Sequence, residues 1–383
     1  MRMTLLVCFL PAALAALSLS APASAQGGGA APGSLFKDVI KQPTGKNGYE
    51  ELVAAAEVLK TSKLWAKAEQ PDALLTDKRL ALGDRPVVRA LALMRQGLSK
   101  PVFSPRDGLQ PGTLPPELNG LRSLGRLAAV HQYVALADGR TGEALADARL
   151  GMRLGQVIQQ DSLMGGLVGL AVGATCIRPL ATHLDQLSVR DCELLKGICE
   201  EWLTQPNPLP RVVAAERKVV LTNLADLKQK TGFDPAAGGE DLFGIAGRYA
   251  SDYFERQLQE LNKPAWQRGV LSVDEAPEFS RALLLPVARV LERSLSAYTR
   301  EEANIRMLAV HAMILRSRWE LGRLPSALTD VNAGDLALDP FTGKSLQYEV
   351  QGRNYRLFSA GPLATAGDPQ AVNGRKPVAV VPE

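Results

Sequence analysis

The chain is predicted to be mainly α: an irregular stack of antiparallel helical hairpins, then a long helix, then a small α+β module built on a β-hairpin. Three observations predict this. Ala and Leu dominate an apolar fraction of 46%, while aromatics are only 5%, a bias toward helix over sheet. Apolar residues recur at three-to-four spacing from Gly48 to about Leu321, with short breaks between the periodic runs. Beyond that the period changes to two: Leu346, Tyr348 and Val350 alternate, Gln351-Gly352-Arg353-Asn354 turns, and Tyr355-Arg356-Leu357-Phe358 returns.

The 383 residues exceed one ordinary domain, at roughly 100–200 residues per domain. Charged residues are 22%, and 44 basic side chains against 40 acidic ones leave a net charge of +4. So even a mixture excludes a dedicated nucleic-acid binder, which needs a strong basic excess.

Residues 1–25 read as a signal peptide. Arg2 supplies the positive start, Leu5 to Leu19 is uncharged and mostly apolar, and Pro22-Ala23-Ser24-Ala25 ends in a small-x-small cleavage pattern. The apolar run is shorter than the ~20 residues that a bilayer span requires. Residues 26–47, beginning Gln26-Gly27-Gly28-Gly29, form a flexible leader. Export permits disulfides, but Cys192 and Cys199 are seven apart on one predicted helix, about 10 Å along its axis and beyond disulfide reach. Cys176 could bridge to either across a hairpin. The preferred reading makes all three thiols small buried hydrophobes.

The helical-hairpin domain is placed at 48–279. Its predicted helices are Tyr49–Glu69, Arg85–Gly97, Glu117–Ala137, Thr141–Gln160, Ser162–Leu184, Ser188–Thr204, Pro210–Thr231 and Leu242–Asn262. Five prolines in Ser99–Pro116 make that stretch a surface loop. Short connections such as Asp138-Gly139-Arg140 imply antiparallel neighbours. Ala137–Arg140 with Glu143 and Leu150 resembles the turn of one tetratricopeptide-like hairpin, but no 34-residue period follows, so an irregular layer is preferred. Ser280–Leu321 is the long helix, with Pro286 inside it. Residues 363–383, rich in Ala, Gly and Pro, are expected to be a disordered tail.

Within 280–362, the segment from about Arg306 to Pro362 carries a distinctive order. A long helix closes on Glu320-Leu321-Gly322-Arg323-Leu324-Pro325. Leu338-Asp339-Pro340-Phe341-Thr342-Gly343-Lys344, the hairpin and Ser359-Ala360-Gly361-Pro362 then follow. This resembles the C-terminal part of the major pseudopilin of type II secretion. The resemblance implies an α+β module that docks or caps. It would also imply a calcium-binding acidic loop after Pro362, but Leu363–Asp368 holds one acid, so calcium is not carried over. As a whole, the chain is similar to exported bacterial proteins that place an Ala/Leu-rich helical region before this tail.

No catalytic, cofactor-binding or metal-binding residue is assigned, and no cofactor is expected. The histidines, His131, His183 and His311, have no His-x-x-x-His or Glu-x-x-His partner. His131 falls on an apolar stripe with Leu124, Ala128 and Ala135, as a core histidine would. Gly343-Lys344-Ser345 ends like a phosphate loop but lacks its first glycine. Ser162–Ile177 is the most apolar mature segment, with Gly169 and Gly173 four apart, and reads as a buried central helix.

The anomaly is Glu302. Leu284, Val287, Leu291, Leu295, Tyr298, Ile305, Leu308, Ala312, Leu315 and Trp319 form the apolar face of the long helix, and Glu302 interrupts it. A carboxylate there needs a partner or a raised pKa, and Arg306 lies one turn on. Arg289, Arg293 and Arg300 share another, solvated face.

These readings lead to an expectation: an exported, non-catalytic interaction or scaffold protein of the bacterial envelope, in the periplasm or at the cell surface. It would hold a protein partner, bind no nucleic acid, and cross no membrane once the signal is removed. The alternative is an envelope hydrolase using Glu302 on an anionic or glycan substrate.

Overall fold

A computed structural model describes residues 39–40, 43–104, 115–159, 162–231, 241–363 and 372–380. The signal peptide and residues 26–38 and 41–42 of the leader lie outside the described residues, as does the middle of the proline-rich loop. The architecture is mainly helical with one two-stranded antiparallel sheet. In chain order the helices are α1 Tyr49–Lys60, α2 Lys63–Ala68, α3 Leu75–Leu82, α4 Arg85–Leu98, α5 Leu118–Ala137 and α6 Thr141–Ile158. They continue as α7 Leu163–Ala181, α8 Val189–Leu203, α9 Leu209–Thr231, α10 Leu242–Leu261 and α11 Glu278–Leu321. The strands are β1 Gln347–Gln351 and β2 Asn354–Phe358.

Local chemistry sets several helix ends. Ser162 Oγ accepts from Gly165 N–H at the start of α7, and Asp241 accepts from Gly244 N–H at the start of α10. Ser188 and Asp191 form a reciprocal capping box on α8. Gly322 closes α11 at φ 69°, a conformation that favours glycine. Pro286 lies inside α11; lacking an N–H, it leaves the Ala282 carbonyl without its helical donor.

The first predicted helix, Tyr49–Glu69, is two helices. Ser62 Oγ accepts from Trp65 N–H at 3.0 Å, so its side chain starts a new helix where the periodicity showed none. Residues 75–82, unassigned by periodicity, form α3, a short helix exposing Leu80.

Four of the five apolar clusters among the described residues follow the hairpin order. The first joins α1, α4 and α5 with parts of α6 and α7. The second joins α9 and α10 to the first half of α11, and the third joins α6, α7 and α8 to its second half. In the fourth, Met307, Val310 and Ile314 on the opposite face of α11 pack against Leu328, Leu346, Leu357 and Val378 of the C-terminal module. The expected boundary at 279/280 coincides with the start of a helix whose packing belongs to both sides of it.

The hairpin pairs Gln347 with Phe358 and Gln351 with Asn354. Gly352 opens its two-residue loop at φ 64°, where a tight hairpin turn needs a positive value. Buried Asp339 ties the preceding turn to the segment after β2. Its carboxylate accepts from Phe341 N–H at 2.9 Å, Ser359 Oγ–H at 2.8 Å and Ala360 N–H at 2.8 Å. The expected loose tail is in part seated here: Val378 pairs with Ser359 and is buried. The Gly361 backbone, at φ 73°, lies so close to the Lys376 carbonyl that any Cβ would collide. Ala/Gly/Pro composition favours a chain without its own core, but backbone pairing with β2's extension supplies one from outside.

Candidate functional site

The site grows from a register that the sequence pattern misplaces by one residue. The buried seam of α11 runs Leu291, Ser294, Tyr298, Glu301, Ile305, Leu308, Ala312 and Leu315, a regular three-four alternation. Two polar residues hold positions where Leu295 and Glu302 were expected. Leu295, being apolar, pulls the inferred stripe onto its own face, yet it is only partly buried. The buried acid is therefore Glu301, not Glu302.

Glu301 is 6% exposed and accepts a hydrogen bond at 3.1 Å from Nε2 of Gln159, the residue that follows α6. Burial pushes its pKa up to about 8, so the carboxyl keeps its proton at neutral pH. One turn earlier, the Tyr298 hydroxyl is buried without a hydrogen-bond partner among the described residues, and burial with nearby Glu301 pushes its pKa up.

The glycines of α7 make room for this polar cluster. A Cβ at Gly173 would lie 2.3 Å from Glu301 Oε1, and one at Gly166 would lie 2.3 Å from the Tyr298 hydroxyl. Gly155 and Gly169 bring the backbones of α6 and α7 together, each Cα facing the other's carbonyl. Length and apolarity would let α7 cross a bilayer, but this glycine face is packed inside the protein. It is the buried central helix that the sequence predicted.

Outside the seam a cleft of about 280 Å³ opens between α6, the α8–α9 connection and α11. Glu302 lies in it. Arg306 Nε donates to Glu302 Oε1 at 2.9 Å, as the spacing implied, and the same guanidinium donates to the Asp335 carbonyl of the C-terminal module. Arg268 and Arg211 also line the cleft, with Trp202 and Tyr298. Arg268 is half-buried, and desolvation holds its pKa below the usual arginine value. Among the described residues, neither Arg268 nor Arg211 has a carboxylate within ion-pair distance. Arg289, Arg293 and Arg300, in contrast, are exposed outside the cleft.

The remaining candidates are structural. His131 Nδ1 meets Asp147 Oδ2 at 2.5 Å, and Arg95 reaches the other oxygen at 3.1 Å. That makes it a satisfied histidine between helices. His183 Nδ1 approaches the Pro179 carbonyl. His311 is buried between α11 and β2, where Nδ1 meets the Tyr355 hydroxyl at 2.8 Å and burial lowers its pKa to about 3. No sequence signal marked it, because its partner lies 44 residues away. Cys176, Cys192 and Cys199 are free and buried, and burial pushes Cys192 up to about 11 and Cys176 to about 12. No group of three potential metal ligands occurs among the described residues.

The chemistry on offer is anion recognition: guanidinium forks suit carboxylates and phosphates. The protonated acid, Glu301, lies behind the cleft, and the half-buried Glu302 is already ion-paired. Comparison with family models, curated proteins and solved structures gives no match to the chain.

Proposed function

We propose that this chain is an exported, non-catalytic interaction protein of the bacterial envelope, in the periplasm or at the cell surface, holding a protein partner on its helical body. The N-terminal signal pattern supports export. One observation carries the interaction reading: Trp319 stands 58% exposed on the last turn of α11, with Leu321, 63% exposed, two residues further on. Trp319 is held in place by its indole N–H, which donates to the Leu187 carbonyl at 3.1 Å, and Arg316 bridges Glu193 at 3.1 Å beside it. An ordered, exposed tryptophan flanked by arginine is the composition of an interface anchor, and its fixed geometry lowers the entropy lost on binding. The resemblance of the C-terminal module to the pseudopilin tail supports a docking or capping role, as does the burial of Leu346 and Leu357 against α11.

A photo-crosslinking amino acid at Leu321 should give a discrete adduct in cells that disappears with Trp319→Ala. The same probe at Val88, exposed on α4, should not give that adduct. Equal labelling from both positions would sink the reading.

A second reading, a hydrolase using Glu302, is favoured by that side chain's place in an open cleft beside Trp202. Turnover of a cell-wall glycan by purified protein, lost in Glu302→Gln, would establish it. Under the interaction reading, the variant captures the same partner as the unaltered chain.

A further inference from the structure

We infer that the cleft between α6, the α8–α9 connection and α11 is a binding site for a small, hydroxylated oxyanion, with Arg268 as its principal fork. This goes beyond the partner surface at Trp319 and stands whether or not that surface captures a protein.

Charge comes first. Arg211, Arg268 and Arg306 line the cleft against one carboxylate, Glu302. Arg306 is consumed by Glu302 and by the Asp335 carbonyl. Among the described residues, Arg268 spends only Nε, on the Lys263 carbonyl at 3.1 Å, and faces Glu302 and Glu260 only at a distance. A cation partly withdrawn from water without a hydrogen-bonded anion is costly, and an oxyanion seated on its two free amino groups removes that cost. Arg211, exposed at the mouth, adds a second positive charge.

The lining also specifies the body of the ligand. Gln156 Nε2 is committed to the Trp202 carbonyl and Gln205 Nε2 to the Glu201 carbonyl. Thr299 donates its hydroxyl proton to Leu295. These groups retain their acceptor oxygens, and each glutamine a second amide N–H, which suits ligand hydroxyls, and a volume of about 280 Å³ admits a sugar-sized molecule. The oxyanion is a carboxylate or a phosphate, chemistries that the same fork accepts.

Calorimetric titration of the purified protein at low ionic strength with glucuronate, glucose 6-phosphate and glucose tests this. At least one charged sugar should bind about tenfold tighter than glucose, and Arg268→Gln should weaken it about tenfold. Arg211→Gln, an exposed position that leaves folding intact, should weaken it severalfold, while Arg289→Gln on the solvated face should leave it unchanged. Which charged sugar binds separates carboxylate from phosphate. Equal binding of glucose, no binding of either charged sugar, unaltered affinity in both cleft variants, or an equal loss in Arg289→Gln would each overturn the inference.

Discussion

Glu301→Gln is expected to stabilise the protein at neutral and alkaline pH and to flatten the fall in its stability between about pH 4.5 and 8. The folded-state pKa of Glu301 is raised from 4.5 to about 8. Below 4.5 both folded and unfolded chains hold the proton, and the shift contributes nothing. Between 4.5 and 8 the unfolded chain has released it while the folded chain retains it, so stability falls as pH rises. Each unit costs about 1.4 kcal/mol, giving on the order of 3 kcal/mol by pH 7 and somewhat more above pH 8. The amide cannot ionise and escapes this loss, and Gly173 leaves the space for it.

His311 has the opposite sign. Its pKa falls from 6.5 to about 3 in the folded state, so its contribution is complete above 6.5 and is lost as pH falls toward 3. Between 4.5 and 6.5 the two contributions oppose each other, so stability varies less with pH there than above 6.5. Urea midpoints against pH for the two proteins check this. Parallel curves above pH 6.5 would show that Glu301 ionises without penalty and that the seam is wetter than its burial implies.

Removing residues 323–383 is the second large effect. Met307, Val310 and Ile314 are fully buried, and the C-terminal module covers them. Exposing three such side chains costs roughly 1.5–3 kcal/mol each, a total comparable to the whole stability of an ordinary domain. His311 would also lose the Tyr355 hydroxyl. The truncated chain is expected to lose cooperative unfolding and to bind a hydrophobic dye. A truncated body that melts as sharply and at the same temperature as the full chain would make the module a separable appendage. Tests of docking by the module therefore need surface substitutions on the hairpin rather than deletion.

How far the sequence could be read is plain from particular residues. Three-to-four periodicity located most of the helices, because a helix that buries one face must repeat at 3.6. Alternation plus Gly352 located the hairpin. Periodicity failed at Ser62, where one side-chain hydrogen bond outweighs a continuous pattern, and at residues 75–82. It failed more instructively on α11. Ser294 and Glu301 are polar residues on a buried seam, so hydropathy could not place them, and the apolar Leu295 suggested the neighbouring face. Pairing of Glu302 with Arg306 was legible, since both lie on one helix four residues apart. The cleft was not, since Arg211, Arg268 and Arg306 come from three separate segments.

The sequence by itself determined the helical class, the order of elements, the C-terminal hairpin, and the close glycine packing of α7. Each depends on neighbours within a few residues, where covalent geometry and local hydrogen bonding decide. Only the tertiary structure decided which of two adjacent glutamates is buried and protonated, that α11 serves as core for both body and C-terminal module, and that unpaired guanidiniums converge on one cleft. Those properties arise from desolvation and from charges meeting across distant segments, and neither has a fixed spacing along the chain.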